Sequence, residues 1–434
     1  MNITFIGSGY VGLVSGIMMS YLGHNVTCLD LDETKITKLN NQILPLYEAE
    51  LDEYFKKALA ADRLKFTNIY SEDLKNSDAV FITVGTPSKE SGEANLEYVY
   101  EAIDKISSYI SRDCLIVIKS TTPPGSCNDI IDYLAGKGFT YNVATNPEFL
   151  REGAAVKDFL YPDRIVVGVN NKKSEAVLKE IYTPLTNKGV NLMVTDPVTA
   201  ELIKYASNSF LAIKIAFINE MADLCEKAGG NIKDLAKGVG LDQRIGERFL
   251  NAGPGFGGSC FPKDLLALNS LAADYRTDGK ILEAVILSNK NRPNNMVNKI
   301  STLLGRDLNG KKIAVLGLTY KAGTDDVRAS PAIEIIKILL DKGAYVKAFD
   351  PMGSKNAEKV LKNNNLSYLD SADKACKESD AIVIATEWSE FTKLNWQEIY
   401  DSAKLPIIID LRNILDAEKL KEIGFEYYGI GSRI

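Results

Sequence analysis

The chain has 434 residues, 45% hydrophobic and 25% charged, with a formal net charge of −6. That length suggests two or three domains, the acidic balance argues against nucleic acid or an anionic membrane as a partner, and no apolar run approaches the about 18 residues of a membrane span. The single histidine, His24, and six scattered cysteines without a CxxC pair leave no His-based triad, no metal site and no disulfide framework to expect.

The opening MNITFIGSGYVG begins directly on a strand-like run and has no basic n-region, which predicts a cytoplasmic protein. Residues 2–7 read as a buried strand, Val11 to Leu22 as a helix, and 25–30 as a second strand. Strand patterns at 78–87, 114–125, 141–149 and 164–169 then alternate with helical ones, the signature of a doubly wound parallel sheet. From 197 to 230 helical periodicity runs unbroken to the stop Gly229-Gly230, a length that suits a spine between domains or a dimer interface. Further helical patterns continue to about 304. Then the opening texture returns: KKIAVLGLTYKAG (311–323) echoes NITFIGSGYVG, GAYVKAFDPM (343–352) echoes GHNVTCLDLD, and SDAIVIATEWS (379–389) echoes SDAVFITVGTP. The expected fold is α/β: two Rossmann-like doubly wound parallel-sheet domains, at 1–196 and 305–434, joined by a long central helix and a helical middle domain at 197–304.

Gly7-Ser8-Gly9-Tyr10-Val11-Gly12 is a G-x-G-x-x-G placed between a strand and a helix, and Asp30 ends the next strand at the spacing of a ribose-binding acid. Gly7, Gly9 and Gly12 would let backbone N–H groups approach a pyrophosphate. Asp30 would repel a 2′-phosphate, favouring NAD over NADP, with Lys35 softening that preference. Thr86 in GTP and Thr121 in STTPPG stand at strand ends of the same sheet, where turn chemistry alone would also suit them. Glu148 and Glu152 in NPEFLRE follow another strand; they are either solvated loop carboxylates or catalytic ones. Lys204 and Asn208 share one face of the long helix, either snorkelling from it or clamping an oxyanion. GFGGSCFPKD places Cys260 behind Gly255, Gly257 and Gly258, with Lys263 able to favour a thiolate and Asp264 able to hold a water or Lys204. An accessible thiolate has a use on an NAD fold. Oxidising an aldehyde needs a tetrahedral adduct before hydride can leave, and a cysteine supplies it as a thiohemiacetal that becomes a thioester. The pattern therefore fits a four-electron oxidation of a primary alcohol. A two-electron dehydrogenase of the 3-hydroxyacid type, or an NAD-binding module whose Cys260 senses redox state, stay open on the same residues.

GSGYVG, STTPPG, NPEFLREG, the Lys204/Asn208 helix, DQRIGERFLNAGPGFGGSCFPKD, GLTYKAGTDDVRASP and DLRN occur in the order found in the UDP-glucose/GDP-mannose dehydrogenase family, which the chain resembles over its whole length. The resemblance implies oxidation of UDP-glucose to UDP-glucuronate with NAD, through Cys260 as nucleophile. Glu148 would be the base for thioester hydrolysis, Thr121 would position water or substrate, and Lys204 and Asn208 would hold the oxyanions with help from Asp264. It puts cofactor contacts on Val11, Asp30, Lys35, Thr86, Thr121, Glu152, Lys263 and Arg328. It puts sugar-nucleotide contacts on Phe149, Leu150, Arg151, Glu152, Lys204, Asn208, Phe249, Leu250, Asn251, Ala252, Gly253, Gly257, Lys321 and Arg412, the last two near the phosphates. Arg244 would reach the substrate from a partner subunit, which implies a homodimer. DQRIG and Ser259, where the UDP-N-acetylmannosamine branch typically has histidine, resemble the UDP-glucose branch; GDP-mannose and UDP-N-acetylhexosamines are the alternative substrates.

Overall fold

The computed structural model describes residues 1–89 and 91–432, which fall into two compact units, 1–207 and 208–434. The end of the expected last domain, at 433 and 434, lies outside the described residues.

The first unit is built on eight strands: β1 Asn2–Ile6, β2 Asn25–Leu29, β3 Leu64–Thr67, β4 Ala79–Ile82, β5 Leu115–Ile118, β6 Asn142–Thr145, β7 Ile165–Gly168 and β8 Leu192–Thr195. Their order is β3-β2-β1-β4-β5-β6-β7-β8. AVFI, LIVI and IVVG are buried at every position, as strands covered on both faces must be. Along β1, Ile3 and Phe5 enter one core and Ile6 the other, because successive side chains point to opposite faces. The sheet is parallel from β3 to β6. β7 then pairs antiparallel to β6 at Thr145 and Gly168, and β8 follows β7 in parallel. The 164–169 run is therefore a strand, as its pattern predicts, but it enters the sheet reversed. Alternation of strand and helix does not encode direction.

The second unit carries strands β9 Lys312–Leu316, β10 Tyr345–Phe349, β11 Leu366–Tyr368, β12 Ala381–Ile384, β13 Ile407–Asp410 and β14 Glu426–Gly429. Their order is β11-β10-β9-β12-β13-β14, parallel throughout. Before this sheet come the helices Ile232–Gly240, Phe261–Asp274 and Lys280–Leu303. The long predicted helix is one element, Pro197–Ala228, and the division between the two units falls within it, after Ser207. Among the described residues no helix is long and apolar enough to cross a membrane.

Candidate active site

In the first unit the fingerprint loop runs from β1 into the helix Tyr10–Tyr21. Gly7 sits at φ +97°, and a Cβ on Gly12 would lie 1.9 Å from Gly7 O, so the helix can start hard against the loop only with glycine there. Gly9 caps that helix without a side-chain hydrogen bond, and a Cβ on it would meet open space. The helix N-terminus is thus left for an anion, which fits a dinucleotide pyrophosphate. Val11 stands in its first turn. Asp30 accepts from Ser8 N at 2.7 Å and Asp32 N at 3.0 Å, and pairs with Lys35 Nζ at 2.7 Å. Thr86 and Thr121 come together, for the Thr86 hydroxyl donates to Thr121 O at 2.9 Å.

The loop after β6 holds the principal electrostatic feature. Glu148 is buried, and so is Lys204, whose Nζ donates to Glu148 Oε1 at 2.9 Å. Of the alternatives open to these two residues, the structure takes neither the solvated carboxylate nor the snorkelling lysine. Leu150 N donates to the other oxygen, Oε2, at 2.6 Å. Burial pushes the Glu148 pKa up, but the Lys204 charge, its hydrogen bond, the Leu150 N–H and the Lys119 charge outweigh it and hold the carboxyl below its ordinary range. Phe149 lies under two cations, 3.7 Å from the Arg164 guanidinium carbon and 5.3 Å from Lys204 Nζ. Arg151 is half exposed and pairs bidentately with Asp158. Glu152 follows in the same loop and acts electrostatically on Tyr10.

In the second unit Cys260 stands at the N-cap of the helix Phe261–Asp274, partly exposed, with Ser259 Oγ 3.5 Å from its sulfur. The partial positive charge of a helix N-terminus favours an anion there. Cys28, Cys114, Cys127, Cys225 and Cys376 are all buried. Burial pushes the thiols of Cys28 and Cys114 up to about 12, which leaves them inert small hydrophobes.

The Lys263 ammonium pairs with Asp264 Oδ1 at 2.7 Å. Asp264, fully buried, spends its other oxygen on Asn208 Nδ2 at 2.6 Å. Gly257 and Gly258, read as letting a ligand come close, also let protein come close. A Cβ on Gly257 would lie 2.2 Å from Ala329 O, and one on Gly258, at φ +84°, would lie 2.9 Å from the Tyr320 ring. Gly258 N donates to Arg328 O at 2.9 Å, so the loop before Cys260 is seated on the 320–331 segment.

Gly253 is held from three sides. Its N–H donates to Asn219 Oδ1 at 2.7 Å, its carbonyl accepts from Arg292 Nε at 3.0 Å, and a Cβ on it would lie 3.1 Å from Arg412 Nη1. Leu250 and Ala252 point into the core, so only their backbones remain for a ligand. Asn251 is exposed, and Phe249 takes a left-handed φ of 65° beside Phe261. Arg412 donates to Ala385 O at 3.0 Å and Tyr320 O at 3.2 Å, which brings it to the loop carrying Lys321. Arg244 and Arg328 are exposed and pair with Asp242 and Asp326.

Sequence reasoning missed the residues that hold these segments in place within each unit. Glu48, buried, accepts from the Tyr10 hydroxyl, Gly153 N and Ala155 N, tying the fingerprint helix to the Glu148 loop. Glu201 accepts from Gly125 N and Cys127 N, tying the Lys204 helix to STTPPG. Lys119 is buried beside Asn146, and Asn289 grips both backbone groups of Phe256. Only Lys119 carried a visible signal, a lysine ending a fully apolar strand.

Residues 1–186 match the NAD binding domain of the UDP-glucose/GDP-mannose dehydrogenase family, 198–291 its central domain and 314–417 its UDP binding domain. A UDP-glucose 6-dehydrogenase of Rickettsia felis is 73% identical across the whole of this chain and 97% of its own length. A UDP-glucose dehydrogenase of Pyrobaculum islandicum superposes with a TM-score of 0.90 at 35% identity, covering 99% of this chain and 98% of its own. The UDP-D-ManNAc dehydrogenase of Pyrococcus horikoshii follows at 0.87 and 30% identity, covering 99% of each chain. The chain belongs to the UDP-glucose/GDP-mannose dehydrogenase family.

Proposed function

We propose that the chain oxidises the C6 alcohol of UDP-glucose to the carboxylate of UDP-glucuronate, consuming one water and reducing two NAD. The observation that carries this reading is Cys260, the partly exposed cysteine at a helix N-terminus, set against five buried ones. NAD, when bound, accepts one hydride at each of the two oxidations. Gly7, Gly9, Val11, Gly12, Asp30, Lys35, Thr86, Thr121, Glu152, Lys263 and Arg328 hold it. Lys204 and Asn208, one turn apart on one helix, stabilise negative charge on the sugar oxygen. The Cys260 sulfur adds to the aldehyde carbon, and loss of the second hydride turns the thiohemiacetal into a thioester. Glu148 then takes a proton from water as its oxygen attacks, the C–S bond breaks, and the electron pair returns to sulfur as thiolate. Thr121 positions the water, and Asp264 holds Asn208 and Lys263 in register.

The other family positions complete the reading. Phe149 to Glu152, Phe249 to Gly253 and Gly257 line the hexose, while Lys321 and Arg412 face the diphosphate. The three segments 1–196, 197–304 and 305–434 divide cofactor, dimer and UDP duties. Phe210, Phe217 and Leu224 are exposed at intervals of seven on the long helix, a stripe suited to a second copy of the chain, with Arg244 reaching across. Free thiols suit the cytoplasm.

The test is NADH yield against a panel of UDP- and GDP-sugars. Two NADH per sugar, highest kcat/KM with UDP-glucose, and a Cys260→Ser variant stalled near the aldehyde level are expected. One NADH per sugar from the unaltered protein would sink it; a preference for an N-acetylated sugar would move the substrate and keep the chemistry.

A further inference from the structure

Lys204 has two tasks in the reading above. It is the ion-pair partner of Glu148 at 2.9 Å, and it must also stabilise the oxyanion of the reacting sugar. When its charge is drawn to the substrate, a buried carboxylate is left with less compensation. Burial then favours the protonated acid, which cannot serve as a base.

A second ammonium stands in the same region. Lys119 follows β5 and is 5% exposed. Among the described residues its one hydrogen-bond partner is Asn146 Oδ1, at 3.1 Å, although an ammonium has three N–H groups to place. Asn146 is itself fixed. Its backbone N–H donates to Ile118 O at 2.9 Å, its side-chain amide donates to Val166 O at 2.8 Å, and its carbonyl also accepts from the Tyr182 hydroxyl. Pro147 separates Asn146 from Glu148 and restricts the turn between them. Lys119 therefore grips the residue from which the Glu148 turn departs. Its charge acts on both Glu148 and Lys204, and these are the charged groups that face it. A buried lysine with so little hydrogen bonding costs stability, so its retention calls for a use of its charge.

We propose that Lys119 is a positioning residue for Glu148: it anchors the Asn146-Pro147-Glu148 turn and supplies the positive charge that keeps Glu148 ionised while Lys204 serves the substrate. The inference rests on the reading of Glu148 as the hydrolytic base. Burial pushes the Lys119 ammonium down to about 8, partly offset by Glu148, so the charge is present at neutral pH and marginal above it.

The test uses the full-length enzyme with UDP-glucose and NAD, and compares Lys119→Met, Lys119→Gln and Lys119→Arg. Removing one of the charges that lower the Glu148 pKa must raise it. The acid limb of kcat is then expected to move up by about one pH unit in the neutral variants, a tenfold loss on that limb. Intact mass after a rapid quench should show a sugar adduct building up on Cys260. Lys119→Arg keeps the charge and should keep the limb where it is. A limb unmoved in Lys119→Met or Lys119→Gln overturns the proposal. Should neither neutral variant fold, a folded Lys119→Arg with a displaced limb overturns it equally. Glu148→Gln separates the two levels. If it turns over normally, the base assignment fails and takes this inference with it. If it accumulates adduct while the Lys119 limb stays put, only the role of Lys119 fails.

Discussion

The two sheets repeat one strand order and diverge just after their first strands. In the first, Gly7 leads at once into the helix Tyr10–Tyr21, whose N-terminus no side chain caps. In the second, the chain leaves β9 at Gly317 and runs to Ser330 before the helix Pro331–Asp341 begins. The acids that end the second strands differ in the same sense. Asp30 receives Ser8 N, Asp32 N and Lys35. Asp350 receives Leu318 N, Thr319 N and Oγ1, Met352 N, Gly353 N and the indole N–H of Trp388, and is 2% exposed. In the second loop Asp350 takes the N–H groups of both Leu318 and Thr319, where Asp30 takes Ser8 N, and neither helix N-terminus is capped by a side chain. The longer loop is then free to present Tyr320, Lys321 and Arg328. Shared topology fixes where a nucleotide can approach; how soon a helix N-terminus follows the first strand decides whether a pyrophosphate can rest against it.

The sharpest way to break this comparison is to remove each acid. Asp350→Ala strands several buried donors and should cost about 3 kcal/mol or more in urea unfolding. Asp30→Ala should change stability little but weaken NAD binding about tenfold to a hundredfold in a titration, the worth of a hydrogen bond to a charged group. If the two variants behaved alike, the acids would be equivalent, and the second loop would be an open dinucleotide site.

Much of this was legible in the sequence because it rests on short-range patterns. Apolar strand runs, G-x-G-x-x-G, the echo of NITFIG in KIAVLG and the unbroken helix from 197 are local. The reversal of β7 was not legible, because its pattern is that of any buried strand and direction depends on the path of residues 146–164. The seats of Gly257 and Gly258 were hidden for a related reason. A glycine reports that something comes close without saying whether it is a ligand or Ala329 O. Asp350 follows its strand as Asp30 follows its own, and spacing does not disclose its six donors. Glu201 acts through partners distant in sequence, beyond the reach of spacing.

The contrast also runs inside the first unit. The helix Ser126–Gly136, unlike Tyr10–Tyr21, has its N-terminus filled from within, by Glu201, which accepts from Gly125 N at 2.7 Å and Cys127 N at 3.0 Å. Burial pushes Glu201 from its ordinary 4.5 up to about 7, against the pull of those two N–H groups. The folded state thus holds this proton more tightly than the unfolded one. The stability from this group is full below about 4.5 and declines as pH rises to about 7, by at most about 3 kcal/mol. Glu201→Gln should flatten that slope in urea melts taken at pH 5 and pH 8; an unchanged slope would assign it to other groups. Gly257→Ala probes the second unit at lower amplitude. With Ala329 O in the way, about 2 kcal/mol should be lost and UDP-sugar affinity should fall, while NAD affinity holds. Full stability in that variant would mean that the loop is not seated as described.

The smallest effect expected is the most specific to the open site. Lys35 Nζ lies 2.7 Å from Asp30 Oδ2, with a quarter of the lysine side chain exposed. A partly solvated pair of this kind is worth up to about 1 kcal/mol. Its importance is its sign: the ammonium tempers the negative charge that would repel a 2′-phosphate. Lys35→Met leaves Asp30 uncompensated, so the ratio of kcat/KM for NAD over NADP should rise by about threefold to fivefold. A ratio that falls would mean that Lys35 serves the adenosine directly and that Asp30 alone sets the preference. The same measurement on a variant of Lys321, in the second loop, should leave the ratio where it is, because no dinucleotide phosphate is read there.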